Sequence, residues 1–161
     1  MQDHLAGIDR LLQEHEQISA KIGGCNEAIN ELAKVRQDWI PGRPGNIDLE
    51  LARLEKLLEE ISKDLEEHMR MEEQEFLPVL TKNAVDIVRR GMLYEHQAVL
   101  ESVSDLREHV RDFVGMPADR EEMLEKEARV KGWINRVLEL LQKHTQTQGV
   151  ILHLAREAAA Q

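Results

Sequence analysis

Apolar residues recur at three- and four-residue steps along four long stretches of this chain, the period of an α-helix with one buried face. The first stretch runs from about Asp3 to Gln37 and places Ile8, Leu11, Leu12, His15, Ile18 and Ile22 on one stripe. Gly23-Gly24 is expected to interrupt or bend it. The second is predicted to start with Asp48 as N-cap. Its stripe is Leu51, Leu54, Leu58, Ile61, Leu65, His68, Glu72, Phe76 and Val79, and Pro78 should end or kink it. The third runs from about Asp86 to Val114 and turns Met92, Leu93, His96, Val99, Leu100, Val103, Leu106 and Val110 inward. The fourth opens at Asp119, with Glu122 three residues on at the spacing of a capping box. It carries Leu124, Val130, Ile134, Val137, Leu141, His144, Gln148, Ile151, Leu152 and Ala155.

Two breakers separate these stretches clearly. WIPGRPGN, with Pro41, Gly42, Pro44 and Gly45, is the one long loop, and Gly115-Met116-Pro117 closes the third helix. Short connections favour antiparallel neighbours, so the expected fold is all-α, an up-down-up-down four-helix bundle forming a single domain over residues 1–161. No internal repeat or linker divides the chain.

Composition narrows the function classes. The 161 residues are 42% hydrophobic and 32% charged, enough to bury a core, and only 3% aromatic. A single cysteine, Cys25, excludes a disulfide framework and a multi-cysteine zinc site within the chain. The formal net charge of −10 argues against binding nucleic acid or anionic membranes through phosphate attraction. MQDHLAGIDR has no apolar run, so no secretory leader is expected and the cytosol is the expected compartment.

The polar residues inside the stripes carry the chemistry. His15, His68, His96 and His144 each belong to a different helix and each lie on its apolar face. Burying four imidazoles is costly unless something satisfies them, and a bound metal is the simplest candidate. Counted from the middle of the first loop, His15 and His68 lie about 27 and 26 residues away. Counted from Gly115–Pro117, His96 and His144 lie about 20 and 28 away. At about 1.5 Å per residue each pair falls within roughly 12 Å of one level, so one polar layer is expected. Glu72 is one turn past His68 on the same face, and Gln148 stands in the same relation to His144. Imidazole and carboxylate together suit Fe, Mn or Zn better than Ca or Mg. A single histidine on an apolar stripe is more often an ordinary core residue. Four at one level with a carboxylate in register are what shifts the reading to a ligand set.

The remaining candidates are weaker. His109 and His153 should face solvent, and His4 is about 16 Å along the axis from His15. Glu14, Glu67 and Glu95 each precede a layer histidine and are expected to be solvated, with contact to the far side of a ligand ring as the alternative. Glu75 leans inward as a reserve ligand. Cys25, Trp39 and Trp133 read as packing residues, and Tyr94 points away from the site.

HMRMEEQEFLPVL, YEHQAV and the positions of His15 and His144 resemble the hemerythrin-like, or HHE cation-binding, family over nearly the whole chain. The resemblance implies a non-haem di-iron centre in a four-helix bundle, with histidines capping two ions and carboxylates bridging them. The implied metal set is His15, His68, Glu72, His96, His144 and Gln148. The implied cofactor is iron, as two ions, with one ion, zinc or manganese as alternatives. Binding or sensing of oxygen, nitric oxide or redox state is the implied function. The alternatives are a di-iron oxidase or peroxidase and a metal-poor bundle used for protein interaction. Two departures stand out. Gln148 occupies the place of the second bridging carboxylate, and Leu100 the place where the oxygen carriers have a further histidine. A site with Glu72 as its one anionic ligand is under-neutralised.

Overall fold

The computed structural model describes residues 2–36, 40, 46–76, 86–114 and 119–159; at 2–5, 46, 75–76, 86–87, 114 and 154–159 only the backbone is described. Four helices account for nearly all of it. They are α1 (Gln2–Val35), α2 (Asn46–Met71), α3 (Asp86–Val114) and α4 (Arg120–Ala159). A π-helical turn, Glu72–Phe76, continues directly from α2. Among the described residues there is no strand, and no helix is long and apolar enough to cross a membrane.

Each helix packs mainly against its two chain neighbours, with α1 also against α4, so the four form a ring. The cross-helix pairs fix the directions. Between α1 and α2, Gly24 lies beside Leu57, Lys21 pairs with Asp64 and Glu14 with His68, one number rising as the other falls. The same holds for Glu55–Arg111 and Glu72–His96 between α2 and α3. It also holds for Asp112–Lys126, His109–Trp133 and His96–His144 between α3 and α4. Arg36, just beyond α1, reaches Glu127 at 2.8 Å, while His15 meets His144, which closes the ring antiparallel. The expected up-down-up-down bundle is therefore what forms.

The core has two unequal parts. The larger runs from Ile18 and Leu65 down to Leu32, Phe113, Met123 and Val130. The smaller contains Ile8, Leu11, Met71, Met92 and Leu152. The histidine layer lies between them. Cys25 is in the larger part, and burial pushes its thiol up to about 12, which leaves it unreactive in the folded state.

Several details differ from the sequence expectation. Gly23-Gly24 does not break α1, because Ile22, Cys25, Ala28, Ile29 and Leu32 bury a continuous stripe across it. Packing of that stripe outweighs the roughly 1 kcal/mol helix penalty of each glycine. Helix α2 starts at Asn46, two residues before Asp48. Leu124 is 41% exposed, and Met123 is buried instead. The stripe of α4 runs Met123, Glu127, Val130, Ile134, Val137, and Leu124 falls one residue out of that phase. Leu12, Leu93, Leu100 and Ile151 are only half-buried. Trp39, Pro78 and Val79 lie outside the described residues, and the side chains of His4, Glu75, Phe76 and Ala155 lie outside the described part.

Asp119 caps α4 as expected: its Oδ1 accepts the backbone N–H of Glu122 at 2.9 Å. Asp119→Ala should cost about 1 kcal/mol, a fall of roughly 2–4 °C in Tm for a chain of this size. A thermal melt of the two proteins checks it, and an unchanged Tm would mean the cap contributes nothing in solution.

Candidate metal centre

Each helix contributes one histidine to the layer because each histidine occupies an apolar-stripe position. His15, His68, His96 and His144 are all buried, as is Gln148. Glu72 lies among them with 0% of its surface exposed. Ring centroids are separated by 4.5 Å for His15–His68, 5.0 Å for His96–His144 and 5.5 Å for His15–His144. The six residues expected from the sequence are thus brought to one place. His153 is exposed and His109 is half-buried against Trp133, away from the layer.

All four rings turn Nε2 toward the Glu72 carboxylate. Its Oε1 lies 3.5 Å from His15 Nε2 and 3.2 Å from His68 Nε2. Its Oε2 lies 2.9 Å from His96 Nε2 and 3.8 Å from His144 Nε2. The two oxygens therefore face different histidine pairs. Gln148 donates from Nε2 to Glu72 Oε2 at 2.9 Å. Ligand atoms of His15, His68, Glu72 and His144 all lie within 4.8 Å of one another, a spacing that could hold a metal ion.

Several of these atoms are left unsatisfied. His15 Nε2, His68 Nε2, His144 Nε2, Glu72 Oε1 and Gln148 Oε1 are buried with no hydrogen-bond partner. Orphaned lone pairs converging on one buried point are what a cation would satisfy. The donor set, imidazole nitrogens and a carboxylate, fits a borderline transition-metal ion.

The electrostatics agree with that picture. Burial works to raise the Glu72 carboxyl, but contacts with His15, His68 and His96 and the charge on His68 outweigh it and hold the group well below the usual carboxylate range. Burial works to lower His68, yet Glu72 and Glu14 together raise it above an ordinary histidine. His96 is raised in the same way, against burial, by Glu72 and Glu73. His144 goes the other way, lowered to about 3, mainly by burial and further by the neighbouring histidines, against the opposing charge of Glu72. The layer thus holds one anion beside two histidines that it helps to raise and a third that burial lowers.

An outer set of carboxylates surrounds the layer, which the sequence reading held only as the lesser alternative for Glu14 and Glu95. Glu14 Oε2 accepts from His68 Nδ1 at 2.9 Å, so Glu14 is not simply solvated. Glu95 Oε2 lies 3.6 Å from His144 Nδ1. Glu73, which the sequence reading passed over, accepts from His96 Nδ1 at 2.8 Å. The π turn that begins at Glu72 sets the backbone of Glu73 differently from a continued α-helix, and π turns often mark functional sites. No periodicity signal could have shown it. Glu67 is exposed, as expected.

A family profile, the hemerythrin HHE cation-binding domain, matches residues 6–148, most of the chain. The chain belongs to this family. No significant match was found among curated proteins or among solved structures. Membership in the hemerythrin family accounts for the bundle, and the buried His/Glu layer is the part of this hemerythrin domain suited to a cation. Its matched stretch ends at Gln148, so every histidine of the layer lies inside it.

Proposed function

We propose that the chain is a non-haem iron protein whose single hemerythrin-like domain, over residues 1–161, binds or senses a small diatomic ligand such as O2 or NO in the cytosol. The observation that supports this most is the division of Glu72. With Oε1 toward His15 and His68, and Oε2 toward His96 and His144, the carboxylate is arranged to be shared by two ions. His15 and His68 would hold one, His96 and His144 the other, with Gln148 offering an amide oxygen to the second. Iron so held supplies reversible binding or one-electron chemistry toward a diatomic ligand.

A cavity of about 150 Å³ between α3 and α4 is lined by Gln148 and Glu95 together with Val88, Gly91, Met92, Thr147 and Ile151, and would give such a ligand an approach to the layer. A wider cavity of about 210 Å³ between α1 and α2 is lined by charged groups, including Arg10, Lys21 and Asp64, and suits an apolar diatomic poorly. The chain's one tyrosine, Tyr94, is 74% exposed, so it offers the layer no phenolic donor. That weighs against the oxidase or peroxidase reading.

A single-ion reading has its own support, since His15, His68, Glu72 and His144 alone form a compact group that leaves His96 out. Metal content per chain decides between them. After anaerobic reconstitution with ferrous iron, two ions per chain are expected. One ion, lost on replacing His15 but not His96, would establish the single-ion site. No bound iron, zinc or manganese would overturn the reading altogether.

A further inference from the structure

The layer has too little negative charge for what it is built to hold. Glu72 is the one carboxylate inside it, and Gln148 brings a neutral amide. Charge is nevertheless present one step out. Glu14 on α1 accepts a hydrogen bond from His68 on α2 and Glu73 in the π turn accepts one from His96 on α3, while Glu95 on α3 lies 3.6 Å from His144 on α4, near enough for charge but not for a hydrogen bond. Each contact is made to Nδ1, the nitrogen turned away from Glu72. A carboxylate can only accept, so it fixes the hydrogen on Nδ1 and leaves the Nε2 lone pair facing inward. The orphaned Nε2 atoms of His68 and His144 point into the layer in that orientation.

We infer that Glu14, Glu73 and Glu95 form an outer carboxylate shell that positions His68 and His96 through Glu14 and Glu73, places charge beside His144 through Glu95, and offsets from further out the charge that Gln148 does not bring. The inference rests on the metal-binding reading above. Formally, Glu72 and the three outer carboxylates carry four negative charges, which matches two dipositive ions.

Helix direction explains which residues do this. Successive helices run oppositely, so the residues before His15 and His68, Glu14 and Glu67, both turn to the α1/α2 interface, where they line one cavity with His68. The residue before His96, Glu95, turns to α4. Nothing before a layer histidine can serve the α2/α3 interface, and Glu73 fills that place from the π turn. At the remaining interface, α4 to α1, no described carboxylate other than Glu72 contacts a layer histidine; Glu127 lies far along it, paired with Arg36. His15 shares its crevice with Ser19 and Thr145, and both of its nitrogens are without a hydrogen-bond partner. The shell is therefore open at His15. Glu95 is its weakest member, since His144 Nδ1 also lies 3.4 Å from the Gln148 amide nitrogen and cannot serve both.

The test uses zinc and cobalt(II) as probes on the full chain carrying Glu73→Gln, Glu14→Gln or Glu67→Gln. Release of zinc to a chelator and the ligand-field absorption of the cobalt form are compared with the unaltered chain. Loss of an outer partner typically weakens a metal site about 10–100-fold. That loss is expected for Glu73→Gln and Glu14→Gln, together with a shifted cobalt spectrum. Glu73→Asp, which keeps the charge, should recover part of it. Glu67→Gln, at an exposed position of the same interface, should leave both readouts unchanged. These side chains lie at the rim of the bundle, and circular dichroism confirms the fold of each variant. If the unaltered chain binds and the Glu73 and Glu14 variants match it, the outer shell is overturned while the metal centre stands. An equal loss in Glu67→Gln would overturn it too, by showing only a diffuse charge effect. If the unaltered chain takes up neither ion, both readings fall.

Discussion

Glu72→Ala is expected to abolish metal uptake and to destabilise the metal-free protein as well. Both oxygens of Glu72 face histidine nitrogens, and no described group in the layer can replace either one. Removing it deletes a ligand common to all the histidines, so no partial site should survive. The metal-free effect follows from the ion pairs. Glu72 has no solvent contact and sits between His68 and His96, both raised above ordinary histidines by it. Removing one partner of a buried pair of this kind costs about 3–5 kcal/mol, roughly 6–20 °C in Tm. Metal analysis and a thermal melt in chelator measure the two effects separately. Metal held as tightly as in the unaltered chain would show that the ligand set is wrong.

Gln148→Glu should act with opposite signs on the two forms of the protein. Without metal, the new carboxylate would sit where the amide now donates to Glu72 Oε2 at 2.9 Å. A hydrogen bond becomes a like-charge contact in a buried layer, and one of the two groups must take up a proton. Loss of the bond and the desolvated charge should cost about 1–3 kcal/mol, roughly 2–12 °C in Tm for a chain of this size. With metal, the same carboxylate becomes a second anionic ligand and the repulsion disappears. The Tm rise on metal addition should therefore be larger than in the unaltered chain, and chelator should remove zinc or iron more slowly. Melts with and without metal, plus release kinetics, test both signs. Equal or faster release from the Gln148→Glu protein would mean that the side chain at 148 does not reach the bound ion. A metal-free Tm that does not fall would mean that the amide is not bonded to Glu72.

Much of this was legible from spacing alone. Apolar stripes broken by one or two polar residues each gave the bundle, and the interruptions gave His15, His68 with Glu72, His96, and His144 with Gln148. The weak point was register in the second half. Counting from Gly115–Pro117 put His96 and His144 eight residues out of step, whereas their rings are 5.0 Å apart. The level is set further along: Asp112 pairs with Lys126, which centres the α3/α4 hairpin near Asp119. Measured from Asp119, the two histidines are 23 and 25 residues away. The outer carboxylates were illegible for a different reason. Glutamates next to a core position are abundant in any acidic helical chain. Glu14, Glu67 and Glu95 look alike in sequence, yet only Glu14 hydrogen-bonds a ring nitrogen, Glu95 stopping 3.6 Å from one. What separates them is which neighbour each helix face meets, a property of the assembled ring. Glu73 depends in addition on a local change of helix type that no apolar period encodes.

The histidine layer divides the described core in two. On the side of the α1 start and the α4 end lie Ile8, Leu11, Met71, Met92 and Leu152, with Leu12, Leu93 and Ile151 packed against them, and on the other side runs the long cluster from Ile18 to Phe113. A cation seated in the layer would join all four helices at the one level where this apolar packing is interrupted. Binding there would act as a belt around the bundle and should raise its resistance to unfolding as a whole.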